Sequence, residues 1–252
     1  KIDWKDVQSI FNLHVFAKFT DLADTKASDV KSSDLREVLA RLVEDGKGRT
    51  AGKLRSYLRA AFSAAAKAEF DPTAPSSLLG FGIEANPCDP LPSMAQFNRA
   101  GERVLTLEEL RLYISGIDFF QPMTQRAMRL ALYLCGQRPT QLLRVPPSDV
   151  HLTETGGEIW IRDPKGSRKA PRIHILPLVG VAHGIVKELM EMNAKATYLF
   201  QSVEGSHLRS ETVSAAVYEI ATALVECERS RSPFQGKDIR RTCETMLSGM
   251  GI

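Results

Sequence analysis

Glu158-Ile-Trp-Ile-Arg-Asp-Pro-Lys-Gly-Ser-Arg-Lys-Ala-Pro-Arg-Ile-His-Ile-Leu176 is the stretch that decides the fold class. Its two ends, Glu158–Arg162 and Arg172–Leu176, alternate polar and apolar residues, which is the period of a strand. Between them, Asp163–Pro171 is dense in turn formers and carries Lys165, Arg168 and Lys169. The stretch reads as a β-hairpin with a basic tip. It is the only convincing β signal in the chain, so the class is mainly α with one small hairpin or sheet.

Working outward, the hairpin sits inside a helical domain. Upstream, Thr106-Leu-Glu-Glu109 is a capping box, and Leu105 and Leu110 stand where a hydrophobic staple would place them. A second helix spans about 123–135 and stops at Gly136. Pro139 suits the first turn of a third short helix, where its missing N–H costs nothing. Downstream, the spacing predicts helices over about 181–193, 210–228 and 237–248.

Further upstream, Asp71–Ser93 holds five Pro residues, a density that no regular element survives. Before it lie three helical segments: Asp3–Phe19, Ser33–Val43 and Lys47–Phe70. In the last, Leu54, Tyr57, Leu58, Ala61, Phe62 and Ala65 share one face. The expected organisation is a helical domain over 1–90, a linker over 91–104 and a second domain over 105–252.

The chain has 252 residues, 43% hydrophobic and 25% charged, which is ordinary globular composition. This excludes a disordered chain, a collagen-like repeat and a coiled-coil rod. No apolar run approaches the roughly 18 residues of a membrane span. The chain opens Lys-Ile-Asp-Trp, without Met or an apolar signal region, and is read as a fragment of a longer protein. Cys88, Cys135, Cys227 and Cys243 form no metal-binding spacing, so reduced thiols and no metal are expected.

The net charge is only +3, but it is unevenly placed. Lys47–Phe70 holds Lys47, Arg49, Lys53, Arg55, Arg59 and Lys67 against one acid, Glu69. Two more basic clusters run from Arg162 to Arg172 and from Arg229 to Arg241. Such clusters point to an anionic partner, nucleic acid first; each alone also describes a solvated surface. Arg138, between a Gly-ended helix and a Pro-opened one, combines a guanidinium fork with free backbone N–H groups, both of which suit phosphate. On the last helix, steps of about 100° put Lys237, Arg240, Arg241 and Glu244 on one face. Ile239, Cys243 and Met246 fall on the other.

Taken in order, Gly136-Gln-Arg-Pro139, Lys165 on a hairpin and Lys237-Asp-Ile-Arg-Arg-Thr242 resemble the tyrosine recombinases, or phage-type integrases. Leu105–Leu110, Arg172–Leu178 and the stretch from Thr50 to Asn86-Pro87 match the family's flanking text, so the resemblance covers nearly the whole chain. It implies a helical, SAM-like core-binding domain, then a mixed α+β catalytic domain. It implies a site-specific recombinase of a prophage, genomic island or other mobile element, cytoplasmic and DNA-associated, that cuts and rejoins DNA through a 3′-phosphotyrosyl intermediate. Arg138 and Arg240 would bind the phosphoryl oxygens, Lys237 would hydrogen-bond them, and Lys165 would protonate the leaving 5′-oxygen, with Lys169 as runner-up. Lys47, Arg49, Lys53, Arg55, Arg59, Arg168, Lys169 and Arg241 would contact DNA. No cofactor is implied. The implied partners are double-stranded DNA held by both domains, further copies of the chain (a tetramer at synapsis), and accessory bending or directionality factors.

Three positions depart from the family pattern. Lys237 stands where the family has His, and Gln141 where an acid often supports the first Arg. No Tyr follows Arg240: the five are Tyr57, Tyr113, Tyr133, Tyr198 and Tyr218. The catalytic domain is therefore read as truncated, with the nucleophile beyond Ile252 and the fragment inactive alone. The same departures motivate an alternative, a DNA-binding regulator with impaired catalysis on the recombinase scaffold.

Overall fold

The computed structural model describes residues 4–98, 101–163 and 171–251. The chain divides into two compact units, Lys1–Ala100 and Gly101–Ile252. Lys165, Arg168 and Lys169, at the expected hairpin tip, lie outside the described residues.

In the first unit, α1 (Trp4–Phe11) runs into a π-turn at Asn12–Phe16. Then come α2 (Thr20–Asp24), α3 (Ser32–Glu44) and α4 (Gly48–Ala68). The single helix expected over Asp3–Phe19 is thus broken. Ile10 and Val15, five residues apart, both reach the core, and the wider turn is what keeps that spacing on one side. The start of α3 is capped by the Asp34 carboxylate, which accepts the Lys31 N–H at 2.9 Å. Asp45-Gly46 turns the chain, with Gly46 at φ +73°, a left-handed conformation that costs glycine little.

Helix α4 buries Ala51, Leu54 and Leu58 against Leu35, Val38, Leu39 and Leu42 of α3. Ala61, expected on the buried face, is exposed. The segment read as linker from residue 91 begins inside this unit. Leu91 is buried in its core, Met94 packs on it, and the Phe97 ring lies against Gly48, where a Cβ would come within 2.3 Å. Apolar side chains at these positions gain more by packing on α4 than by staying in solvent.

The second unit opens with α5 (Leu107–Gly116), followed by α6 (Pro122–Tyr133) and the short α7 (Pro139–Leu142). The capping box forms as read: Thr106 Oγ1 accepts the Glu109 N–H at 3.1 Å, and Glu109 Oε2 accepts the Thr106 N–H at 2.9 Å. Strands β1 (Val150–Leu152), β2 (Gly157–Asp163) and β3 (Arg172–Leu178) make an antiparallel sheet in the order β1-β2-β3. Strand β1 carries no pattern of its own and is defined by its pairing with β2, Val150 with Ile159, His151 with Glu158 and Leu152 with Gly157.

The alternation reads correctly on β2, where Ile159 and Ile161 are buried. On β3 the inward parity is that of Leu176 and Leu178, while Ile173 and Ile175 are exposed. The register decides this, because Leu176 and His174 are the partners of Ile159 and Ile161. Helices α8 (Gly180–Asn193), α9 (Ser210–Glu226) and α10 (Gly236–Gly249) complete the unit. Their core includes the fully buried Phe200 and Phe234, the latter edge-on to Tyr113 at 5.9 Å. Among the described residues no helix is long and apolar enough to cross a membrane.

Glu109 does more than cap α5. It is buried, and its Oε1 accepts Arg103 Nη2 and the Ser230 hydroxyl, each at 2.7 Å. Burial alone would raise its pKa, but the Thr106 N–H, the Ser230 hydroxyl and the Arg103 guanidinium outweigh it and hold the carboxyl below its ordinary value. A depressed folded pKa contributes stability above the unfolded value and loses it as pH falls through the folded one. Glu109→Gln is expected to cost about 1–3 kcal/mol at neutral pH. It should also flatten the loss of stability on acidification below pH 4.5, the ordinary value. Urea unfolding followed through Trp160 fluorescence in a Trp4→Phe background measures both.

Candidate nucleic-acid interface and active site

Helix α6 ends on two consecutive left-handed residues, Cys135 at φ +60° and Gly136 at φ +73°. The reversal sends the chain straight into Arg138 and Pro139. A Cβ on Gly136 would lie 2.4 Å from Arg240 Cα and 2.9 Å from its Cβ. Only a residue without a Cβ lets α10 pass this closely. The contact sets the starts of two segments, one carrying Arg138 and the other Arg240, side by side.

The remaining placement of α10 comes from its buried face. The Asp238 carboxylate, itself buried, accepts the Gln235 N–H at 2.9 Å and Arg241 Nη1 at 2.8 Å. Arg241 Nη1 also donates to the Arg103 carbonyl at 2.9 Å. Thr242 Oγ1 accepts the Leu105 N–H at 2.9 Å and donates to the Asp238 carbonyl at 2.8 Å. With this face fastened to 103–105, the opposite face turns Lys237 and Arg240 outward.

What they face is a cleft of about 760 Å³ between the α6–α7 connection, α9 and the start of α10. Arg138, Lys237, Arg240 and Glu244 line it, with Thr140, Ser214 and Tyr218. Arg240 Nε donates to Glu244 Oε1 at 2.9 Å, which leaves both Nη groups of its fork free of that bond. The arrangement can hold a tetrahedral anion: two planar forks and an ammonium converge on one cavity.

The structure thus brings together Arg138, Lys237 and Arg240. Arg241, read with them as a DNA contact, lies at the cleft edge, but its guanidinium is taken up by Asp238 and the Arg103 carbonyl. Gln141 lines a separate hollow of about 350 Å³ with Arg144, Trp160 and Arg162. Ser214 and Tyr218 on α9 went unread, because helical periodicity marks an outward face without saying what it looks at. Among the other tyrosines, Tyr113 is buried, and that burial pushes its phenol well up from its ordinary value. Tyr57 donates to Asp6 at 3.2 Å.

In the first unit, several basic side chains on and just before α4 already have partners. Lys47 pairs with Asp45 at 3.6 Å, Lys53 with Asp6 at 3.2 Å and Arg59 with Asp89 at 2.9 Å. Arg55 Nη2 donates to the Leu91 carbonyl at 2.5 Å. Arg49 is exposed. The Lys47, Lys53 and Arg59 pairs are solvent-exposed, so each is worth little and is readily exchanged for a phosphate. Arg55, Arg59 and Lys67 flank a shallow groove of about 430 Å³ floored by Ser56, Ala60 and Ser63. Small residues there leave room for a backbone to approach.

A family model, the phage integrase family, matches residues 103–252. The chain belongs to this family, that of the tyrosine recombinases. A structure of a lambda integrase (residues 75–356) dimer bound to a COC′ core site is similar, with TM-score 0.66, 19% identity, 99% of this chain covered and 85% of that one. The Tn1549 transposon integrase in complex with a circular intermediate DNA matches at TM-score 0.64 and 14% identity, covering 97% of this chain and 80% of that one. The site-specific recombinase XerH bound to difH substrate matches at TM-score 0.57 and 20% identity. That match covers 88% of this chain and 61% of the XerH chain. At these identities the likeness is one of fold. No curated protein sequence matches.

Replacing Gly136 by Ala is expected to destabilise the second unit by at least about 2 kcal/mol, from the left-handed strain and the clash with α10 together. A lowered thermal unfolding midpoint, read through Trp160 in the Trp4→Phe background, checks this. Unchanged stability would mean that the close approach is not enforced.

Proposed function

We propose that this chain is the core-binding and catalytic part of a site-specific DNA recombinase of a mobile element, breaking and rejoining strands through a 3′-phosphotyrosyl intermediate. The observation that carries the reading is the convergence of Arg138 and Arg240 on one cleft through the Gly136 contact. Charge builds on the phosphoryl oxygens as the attacking oxygen arrives, and fixed cations stabilise it without reorganising. Arg138 and Arg240 supply the forks and Lys237 a further donor. Lys165 gives the leaving 5′-oxygen its proton, with Lys169 as the alternative donor. The reading requires an attacking Tyr C-terminal to Arg240, a position that none of the five tyrosines of this sequence occupies. Lambda integrase dimers on a core site and the DNA complexes of the Tn1549 and XerH proteins support double-stranded DNA and further copies of this chain as partners.

The test is a covalent-adduct assay: a polypeptide that carries such a tyrosine, incubated with a nicked duplex carrying its attachment site. A denaturation-resistant protein–DNA band is expected, lost in Arg240→Ala and kept in Tyr218→Phe. DNA binding without any band would favour the second reading, a DNA-binding regulator, which Lys237 in place of His and Gln141 outside the cleft motivate.

The groove on α4 is proposed to hold a phosphate backbone. Arg59→Ala should weaken duplex binding uniformly across sequences, and the slope of log affinity against log salt should shallow by about one. Fluorescence anisotropy over a salt series measures it.

A further inference from the structure

Attack by a tyrosine needs somewhere for its hydroxyl proton to go. The cleft is rich in donors and poor in acceptors of a proton. Arg138 and Arg240 cannot be deprotonated, and a protonated Lys237 ammonium has three donors and no acceptor. No His lines the cleft among the described residues, and Glu244 is the one carboxylate that does. It sits on the same face of α10 as Lys237 and Arg240, one turn beyond Arg240. Its Oε1 holds Arg240 Nε, and an ionised carboxylate has further lone pairs to offer. The side chain is 58% exposed, so it can reach an incoming hydroxyl without unpacking the helix.

We propose that Glu244 is the proton acceptor for the attacking tyrosine, an inference that rests on the recombinase reading. The tyrosine oxygen forms its bond to phosphorus as its proton passes to the Glu244 carboxylate. The bond from phosphorus to the 5′-oxygen breaks, and that oxygen takes its proton from Lys165. Charge and atoms balance, and no further reactant enters. The bond to Arg240 gives Glu244 a fixed place beside the phosphate. It also means that the carboxylate supporting an arginine here supports the second one, Arg240, while Gln141 stands outside the cleft.

The experiment compares Glu244→Gln and Glu244→Ala with the unaltered polypeptide in single-turnover cleavage of the nicked duplex, alongside affinity for the same duplex. Gln keeps an acceptor for Arg240 Nε but not a base. The expected result is that both variants bind DNA as the unaltered chain does and cleave at least about 10²-fold more slowly. Added formate, a small carboxylate, should restore part of the rate to Glu244→Ala. Cleavage by Glu244→Gln at the unaltered rate would overturn the proposal. If Glu244→Ala were then slow and formate had no effect, Glu244 would be a positioning residue for Arg240. An unaltered polypeptide that forms no adduct would instead remove the recombinase reading, and this proposal with it.

Discussion

The close approach of Gly136 to the backbone of Arg240 is the contact on which the site depends. Arg138 is two residues past one side of that contact, and Arg240 is the other side. A single missing Cβ therefore lets two segments a hundred residues apart in the chain pass close together, one leading into Arg138 and the other carrying Arg240. The left-handed pair Cys135-Gly136 adds direction, since it reverses the chain after α6 and leads it through a short connection into α7. On the proposed reading, rigid placement matters because cations that must first move give back part of the transition-state charge stabilisation they supply.

Helix α10 divides its charged residues between two jobs. Asp238, Arg241 and Thr242 look inward and fasten the helix to the segment that leads into α5. Lys237, Arg240 and Glu244 look outward. The inward set is costly to disturb, as buried charged and polar groups need their partners. This explains why two adjacent arginines in one motif have different fates: Arg240 is on the cleft face and Arg241 is a third of a turn away, on the edge of the buried one. The first unit shows the milder version, with cations held in exposed pairs that a denser array of phosphates can outcompete.

Much was legible in order along the chain. The capping box at Thr106, the Gly stop and Pro start around Arg138, and the strand alternation at Ile159 and Ile161 all rest on local chemistry, and they stand in the structure where they were read. What failed to read locally depended on partners far away. Strand β1 exists only because Val150, His151 and Leu152 have β2 to pair with. The side of β3 that turns inward follows from register, which left Ile173 and Ile175 exposed despite their apolar character. The break in the first helix and the packing of Leu91, Met94 and Phe97 on the first unit follow from what α3 and α4 offered them.

By itself, the sequence determined the mainly helical class and the small β element, and it offered a two-part division and a set of cations suited to a phosphate. It did so because caps, turns, strand periods and motif order are written within a few residues of one another. Only the tertiary structure decided which cations share a cleft, that Arg241 is spent on Asp238 and the Arg103 carbonyl, and that Glu244 is the carboxylate left beside Arg240. Those outcomes depend on which face of a helix meets which neighbour. That choice is made by long-range packing and buried hydrogen bonds, and periodicity alone cannot make it.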